Sequence, residues 1–144
     1  MRSLLLLFIP FLSLTQSPAE WSWWINSSSS ELNFKVKIQD GWHLYSQHIQ
    51  SDIGPVPTSF NIEQLSGIRL VDSVFEPNPI KKYDENFEAT LDFFEGEVVF
   101  TQKYIGEPNG PITGTITYML CNDKMCLPPT DLPFSITMNR YEIK

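Results

Sequence analysis

Short segments in which polar and apolar residues alternate recur along this chain, and turn-forming residues separate them. In residues 31–38 (ELNFKVKI) every second side chain is apolar, and Gln39-Asp40-Gly41 ends the run. Successive side chains of a strand point to opposite faces of a sheet, so this period predicts a strand with one buried face. Similar runs occur at residues 57–64, 68–75, 88–94, 96–104, 112–120 and 132–139.

Proline and glycine punctuate these segments. The chain contains 11 prolines and 7 glycines, several next to each other or to other turn formers, as in Gly54-Pro55 and Asn109-Gly110. No helical period extends beyond about two turns. Seven or eight short strands in a chain of this length are typical of an immunoglobulin-like antiparallel β-sandwich. We therefore predict an all-β fold of that type.

The first 19 residues resemble a secretory signal peptide. Arg2 precedes the apolar run of residues 4–12, and a stretch ending in Ser17-Pro18-Ala19 follows it. The apolar run is much shorter than the ~20 residues that a membrane-spanning helix needs. We expect cleavage after Ala19, which leaves residues 20–144 as one soluble, exported domain.

The mature chain is acidic. Removal of Arg2 with the signal peptide leaves 9 basic residues against 17 acidic ones, a formal charge of −8. This charge excludes nucleic acid as a natural partner, because phosphate binding depends on clustered Lys and Arg. The remaining length suits a single compact domain with its own core, which we expect to be a monomer.

The only two cysteines, Cys121 and Cys126, are separated by four residues. Exported proteins normally pair their thiols, so we expect a disulfide that closes a small ring across a turn. In the chain-entropy model such a ring of about six residues contributes only ~2 kcal/mol to stability. Strained and accessible disulfides are also the more easily reduced ones. From spacing alone the bond is either a structural cross-link, the commoner case in exported two-cysteine domains, or a redox-active pair.

Four segments in a fixed order carry a family resemblance. They are residues 40–47 (DGWHLYSQ), 54–58 (GPVPT), 83–87 (YDENF) and 118–129 (YMLCNDKMCLPP). Together they resemble the amino-terminal domain of the thiol:disulfide interchange protein DsbD, over about residues 30 to 138. The resemblance implies the same immunoglobulin-like sandwich. It also implies a periplasmic domain, without a cofactor or metal, that takes reducing equivalents from a membrane-embedded thiol reductase and passes them to oxidised thioredoxin-like proteins.

The resemblance also assigns the reacting residues. Cys121 and Cys126 match the catalytic pair of a protein-disulfide reductase, in which Cys126 forms the mixed disulfide with the partner and Cys121 resolves it. Phe87 resembles the aromatic residue of a cap loop that covers the cysteines until a partner displaces it.

Other residues flank this predicted site. The acidic residues Asp84 and Glu85 precede the cap aromatic, and His43 and Tyr45 match two aromatic positions beside the cysteines. This chain departs from the family pattern in three ways: the cysteines are one residue closer together, Asn86 is an additional residue before Phe87, and His43 replaces a tyrosine. Near the sulfurs, Lys124 favours a thiolate, whereas acidic groups oppose it or, if protonated, relay a proton.

Each of these residues also has a plain structural interpretation. Phe87 is apolar enough to belong to the core, and His43 and Tyr45 share a strand face on which both can simply pack. Asp84 and Glu85 suit a solvated turn. The tryptophans Trp21, Trp23 and Trp24 either cover an edge strand or form a contact surface.

Two functions of other classes remain open at this stage. A non-enzymatic sandwich that binds another protein needs only a structural disulfide, which resists reduction. A Cu(I)-handling protein would use soft ligands, and candidates lie close together in the sequence. These candidates are Cys121, Cys126, Met119, Met125 and His43.

Overall fold

The computed structural model describes residues 17–49 and 54–138, and within these ranges the chain forms eleven β-strands and no helix. The all-β prediction is therefore confirmed. None of the described segments is a helix that could cross a bilayer. The strands are β1 (Ala19–Asn26), β2 (Glu31–Ile38), β3 (Trp42–Tyr45), β4 (Ser59–Gln64), β5 (Ile68–Phe75), β6 (Ile80–Asp84), β7 (Ala89–Phe94), β8 (Glu97–Gly106), β9 (Ile112–Tyr118), β10 (Leu120–Asn122) and β11 (Thr130–Ile136).

These strands form three antiparallel sheets. The first has the order β1-β2-β8-β5, the second β10-β3-β7-β6 and the third β11-β9-β4. In the first sheet Phe34 of β2 lies opposite Phe100 of β8, and in the third Phe134 of β11 lies opposite Gly114 of β9. Apolar residues of β2, β8 and β9 point inward at every second position, as the sequence period predicts.

Aromatic side chains fill the space between the first and third sheets. The Phe34 ring lies 4.9 Å from the ring centres of both Phe60 and Phe134, and Phe60 lies 5.1 Å from Phe100. Edge-on and tilted contacts of this kind add about 0.5–1.5 kcal/mol per pair to the hydrophobic stabilisation. Gly114 leaves room for one of these rings, because a Cβ there would lie 2.7 Å from Cζ of Phe134.

A change of sheet near Met119 positions the cysteines. β9 belongs to the third sheet, whereas β10, which begins one residue after Met119, pairs with β3 in the second sheet. The single run predicted over residues 112–120 is therefore two strands. This crossing carries Cys121 away from the main core into a smaller buried cluster formed by Tyr45, Leu91 and Phe93.

The other predicted runs correspond to β2, β4, β5, β7, β8 and β11, with boundaries within two or three residues. Two further strands, β1 and β6, were not predicted, and β3 was implied only by the strand face that His43 and Tyr45 share. β3 has only four residues, and the first four residues of β6 are exposed, so neither shows a usable apolar period. β1 was considered only for its tryptophans: Trp21 stacks on Phe100 and Trp23 packs against Phe134, while Trp24 is 42% exposed.

The predicted signal peptide lies mostly outside the described residues, which begin at residue 17. Ala19, where cleavage is expected, is the first residue of β1 and is buried opposite Ile38. The Pro18 carbonyl accepts a hydrogen bond of 2.8 Å from the Gln39 amide. The signal peptide and its cleavage point stay predictions.

Candidate functional site

Cys121 and Cys126 form a disulfide across a tight turn, with their Cα atoms 4.0 Å apart. The Asn122 amide donates to the Met125 carbonyl at 2.9 Å, and the Leu127 amide donates to the Leu120 carbonyl at 2.8 Å. The two cysteines thus face each other as an antiparallel bridge. The bond closes a hairpin whose backbone is already hydrogen-bonded on both sides of it.

Asn122 organises the turn between the cysteines. Its side-chain Oδ1 accepts hydrogen bonds of 2.9 Å from the backbone amides of Lys124 and Met125. Asparagine is favoured at such a position because its short side chain replaces a backbone carbonyl as the acceptor. The ring therefore has a defined shape that does not depend only on the disulfide.

The two cysteines differ in their access to solvent. Cys121 is fully buried, whereas Cys126 is only partly buried. Cys121 packs with Tyr45, Leu91 and Phe93, and Cys126 lies at the margin of the same cluster. A reactant that approaches from solvent therefore meets Cys126 first.

His43 is the direct cross-strand partner of Cys121. β3 and β10 pair so that Cys121 lies opposite His43 and Leu120 lies opposite Leu44. Directly opposed residues project to the same face of a sheet, with Cβ atoms about 4.5–5.5 Å apart. Tyr45, two residues further along β3, projects to this face as well. The sheet register therefore brings His43 and Cys121 together, although they are 78 positions apart in the chain.

A buried hydrogen-bonded cluster lies behind the disulfide. The Tyr45 hydroxyl donates to Asp84 Oδ2 at 2.5 Å, and His43 Nε2 lies 3.0 Å from the Tyr45 oxygen and 3.1 Å from Asp84 Oδ2. Because the tyrosine proton is directed at the carboxylate, His43 Nε2 must carry a hydrogen to interact favourably with either oxygen. All three residues are less than 9% exposed.

These contacts set the ionisation of Asp84 and Tyr45. Burial alone raises the pKa of Asp84, but hydrogen bonds from Tyr45, the Asn86 amide and His43 outweigh it, and the pKa lies below its ordinary value. Burial, followed by the hydrogen bond and the charge of Asp84, raises the pKa of Tyr45 far above that of a free phenol. At neutral pH, Asp84 is therefore a carboxylate and Tyr45 a neutral phenol. Ionised Asp84 holds no proton to relay and opposes a thiolate nearby.

Asp84 also shapes the turn that carries Phe87. Its other oxygen, Oδ1, accepts hydrogen bonds from the amides of Asn86 at 2.8 Å and Phe87 at 3.3 Å. The four-residue loop between β6 and β7 closes through Glu88 in a left-handed conformation, with φ of 52°. The Phe87 ring then meets the Tyr45 ring edge-on, with ring centres 5.9 Å apart. Phe87 thus packs against the cluster that contains Cys121.

The structure brings six of the seven predicted site residues together. These are Cys121, Cys126, Phe87, Asp84, His43 and Tyr45. Glu85 is exposed and does not belong to the buried hydrogen-bonded cluster; it lines an open cavity of about 380 Å³ beside the site, with His43 and Asp123 also in its wall.

Sequence reasoning missed two polar residues of this site and two apolar ones. Asn86 was noted only as an additional residue, yet its side-chain Nδ2 donates to the Asn122 carbonyl at 2.9 Å. Leu91 and Phe93 of β7 surround Cys121 and carried no signal beyond an ordinary strand pattern. The signal for Asn122 was its place directly after the first cysteine, where a turn needs a side-chain acceptor.

The soft ligands considered for Cu(I) have other contacts in this structure. Both cysteines are consumed by the disulfide, so neither offers a thiolate. Met119 Sδ accepts a hydrogen bond of 3.4 Å from the Val56 amide, and Met125 is half exposed in the turn. Nothing in these contacts favours the copper hypothesis.

The fold and the site together define an antiparallel β-sandwich domain with a disulfide-bonded turn at the end of one sheet. The family model for the amino-terminal domain of the thiol:disulfide interchange protein DsbD matches residues 11–137. The chain therefore belongs to this family.

Two solved structures from Neisseria meningitidis resemble the chain. One is the DsbD amino-terminal domain in the reduced form, with a TM-score of 0.58 and 20% identity over 77% of this chain and 79% of that one. The other is the complex between the DsbD and PilB amino-terminal domains, with a TM-score of 0.59 and 18% identity over 88% of each chain. No curated protein matches significantly. The likeness confirms the immunoglobulin-like fold.

Proposed function

We propose that this domain is a periplasmic protein-disulfide reductase that carries reducing equivalents from a membrane-embedded thiol reductase to oxidised thioredoxin-like proteins. The observation that carries the proposal is the Cys121–Cys126 disulfide, which closes a short ring beside Phe87 in a chain of the DsbD amino-terminal family. Family membership and the paired cysteines support thiol–disulfide exchange as the chemistry. The direction of electron flow, the donor and the acceptors are part of the proposal.

The size of the ring supports a redox role over a structural one. A ring of about six residues stabilises by only ~2 kcal/mol in the chain-entropy model. The turn already has its own hydrogen bonds through Asn122, and most of the core lies between the other two sheets. A disulfide at this place contributes modestly to folding, so we expect the domain to stay folded when the bond is reduced.

The exchange itself proceeds through a mixed disulfide. In the reduced domain the Cys126 thiolate attacks one sulfur of the partner's disulfide; a new intermolecular S–S bond forms, and the partner's other sulfur leaves as a thiolate that takes up a proton. The Cys121 thiol then loses its proton and attacks Cys126, which closes the ring and releases the partner's second sulfur as a thiol. Two electrons and two protons pass to the partner. The membrane reductase restores the dithiol by the reverse exchange.

The different burial of the cysteines supports this order. Partly exposed Cys126 is accessible to a second protein, whereas fully buried Cys121 is accessible only to Cys126. Phe87 and the cluster around Tyr45 shield the pair, so access by a docked partner selects among reactants. The complex of a related DsbD amino-terminal domain with a PilB domain is consistent with partners that are separate folded domains.

The reduction potential tests the proposal against the rival binding module with a structural disulfide. Purified protein is equilibrated in defined thiol buffers, and free thiols are counted after acid quench and alkylation. We expect a potential within the range of exchange proteins, about −180 to −270 mV, and reduction by a thioredoxin-like protein. A potential well below about −300 mV, with loss of folding on reduction, would instead identify a structural bond.

A further inference from the structure

The two turns of the site are joined by one side chain. Asn86, in the loop between β6 and β7, extends its Nδ2 group to the carbonyl oxygen of Asn122, 36 residues away and inside the disulfide ring, at 2.9 Å. Asn86 comes directly before Phe87 in the chain. The backbone that carries the Phe87 side chain is therefore hydrogen-bonded, through Asn86, to the backbone of the turn between the two cysteines.

Both ends of this bridge are held in defined positions. On one side, Asp84 Oδ1 binds the Asn86 and Phe87 amides. On the other, Asn122 uses its amide on the Met125 carbonyl and its Oδ1 on two amides of the turn, so its carbonyl oxygen has a fixed direction. A hydrogen bond between two preorganised turns loses little entropy on forming, and it transmits a displacement of one turn to the other.

We propose that Asn86 is a latch: its hydrogen bond to the Asn122 carbonyl holds the loop of residues 85–88 closed, and so keeps Phe87 over the cysteine pair. Asn86 is a positioning residue, since it acts through Phe87 and touches neither sulfur in the exchange. The inference rests on the proposed function and extends it by identifying what sets the selectivity between small thiols and protein partners.

The chemistry of the latch suits a device that must open. The bond is neutral and exposed, whereas the contacts of Asp84 beneath it are buried and charged. A neutral hydrogen bond contributes modestly to stability, while hydrogen bonds to a charged group contribute about twice as much. A docked protein can therefore replace the bond of Asn86 to Asn122 with its own donor and leave the buried cluster intact. A small thiol makes no docked interface that would hold a replacement donor at the Asn122 carbonyl.

The test measures how fast dithiothreitol reduces the disulfide in the oxidised full chain. Two variants remove the donor: Asn86→Ala deletes the amide, and Asn86→Asp keeps its shape but directs a carboxylate at the Asn122 carbonyl. We expect reduction to accelerate about 2- to 10-fold in each, as loss of one net hydrogen bond implies. The control is Asn61→Ala, because Asn61 is also exposed and donates to Glu63 at 3.0 Å on β4, which lies in a different sheet.

A second measurement distinguishes a latch from a general loosening. If Asn86 acts through Phe87, Asn86→Ala adds no further acceleration in a Phe87→Ala background. The reduction potential is also unchanged in all variants, because the latch affects the rate of reduction and not the equilibrium between dithiol and disulfide. The inference is overturned by unchanged rates in both Asn86 variants, by an equal acceleration in Asn61→Ala, or by additive effects of Asn86→Ala and Phe87→Ala.

These outcomes are separate from the fate of the proposed function. A wild-type protein that resists a thioredoxin-like reductant, or whose potential is that of a structural bond, rejects the exchange function. The ratio of variant to wild-type rates with dithiothreitol still reports on the latch in that case. Conversely, the cysteine pair could have a reduction potential within the range of exchange proteins and be reduced at the same rate in the Asn86 variants as in the wild type. That result would support the exchange function and reject the latch.

Discussion

His43 lies directly across the β3–β10 pair from Cys121, and its Nε2 is bound to Asp84 at 3.1 Å. The imidazole therefore lies on the same face of the sheet as the buried cysteine and is hydrogen-bonded to a buried carboxylate. Because Asp84 is ionised at neutral pH, its negative charge opposes a thiolate at Cys121. In the exchange that we propose, this charge favours Cys121 as the resolving residue and Cys126 as the residue that meets the partner.

Asp84→Asn is expected to destabilise the fold by about 1–3 kcal/mol at neutral pH, because it weakens buried hydrogen bonds from Tyr45 and His43. Urea unfolding measures the loss. The matched control is Asp92→Asn: Asp92 is paired with exposed Lys81 at the surface, where an ion pair is worth less than about 1 kcal/mol. Equal losses in the two variants would mean that the buried cluster does not stabilise the fold.

The destabilisation by Asp84→Asn is expected to depend on pH. The pKa of Asp84 is lower in the folded protein than in the unfolded chain, so its charge contributes stability above the unfolded value of about 3.9, and this contribution is lost as the pH falls through the lower, folded value. The difference between wild type and variant should therefore shrink in acid. A difference that stays constant down to the acid transition would contradict this assignment.

Tyr45→Phe tests the other member of the cluster on the alkaline side. The pKa of Tyr45 is raised by burial and by Asp84, so the folded protein keeps the phenol proton where the unfolded chain releases it, above about pH 10. Tyr45 thus contributes stability below that pH and loses it as the pH rises. Relative to wild type, Tyr45→Phe should lose stability at pH 7 and regain part of it above pH 10.

Tyr83→Phe is the control for this measurement, since Tyr83 is 51% exposed on β6, two strands away from β3 in the same sheet. Unfolding free energies are compared at pH 7 and above pH 10 for both variants. If Tyr83→Phe recovers stability at high pH as much as Tyr45→Phe does, the effect does not come from the buried cluster.

Much of the fold follows from the sequence because strand periodicity reports directly on burial. The run of residues 112–120 places Ile112, Ile116 and Leu120 on one face, and all three are buried. The same run hides the change of sheet near Met119, since β9 and β10 keep the alternation while their partners differ. The alternation of polar and apolar residues shows which face of a strand is buried, but it does not show which strand pairs with it.

The site was predictable to the extent that its chemistry is local. Cys121 and Cys126 define a turn by themselves, and the family resemblance supplied Phe87, His43 and Tyr45. The bond from Asn86 to Asn122 depends on how two turns from different parts of the chain meet, which no local pattern encodes. Glu85 was predicted as a site residue but does not belong to the buried cluster. It is adjacent to Asp84 in sequence, yet it faces solvent while Asp84 is buried.

Gly114→Ala is expected to destabilise the domain by about 1–3 kcal/mol, the usual cost of inserting a methyl group into a packed core. The new Cβ would lie 2.2 Å from the Asn61 carbonyl oxygen and 2.7 Å from the Phe134 ring, so both β4 and β11 would have to move. Gly110→Ala is the control, because its Cβ would meet only Ser66, at 3.3 Å. Thermal unfolding that ranks the two variants in the reverse order would show that the sheets are not packed this closely.

The last prediction concerns which cysteine forms the mixed disulfide. With Cys121→Ser, the partly exposed Cys126 remains and this chain has no second thiol to resolve the mixed disulfide. The variant should therefore accumulate more covalent adduct with an oxidised thioredoxin-like protein than the wild type does, visible by mass spectrometry after acid quench and removed by reductant. With Cys126→Ser, the remaining Cys121 is fully buried and lies beside His43 and ionised Asp84, so adduct should form at least 10 times more slowly, in keeping with a tenfold rate difference for each 1.4 kcal/mol of added barrier. Circular dichroism establishes that both variants are folded. Equal adduct formation by the two would show that burial and the charge of Asp84 do not select the attacking sulfur, and faster adduct formation by Cys126→Ser would reverse the assigned roles.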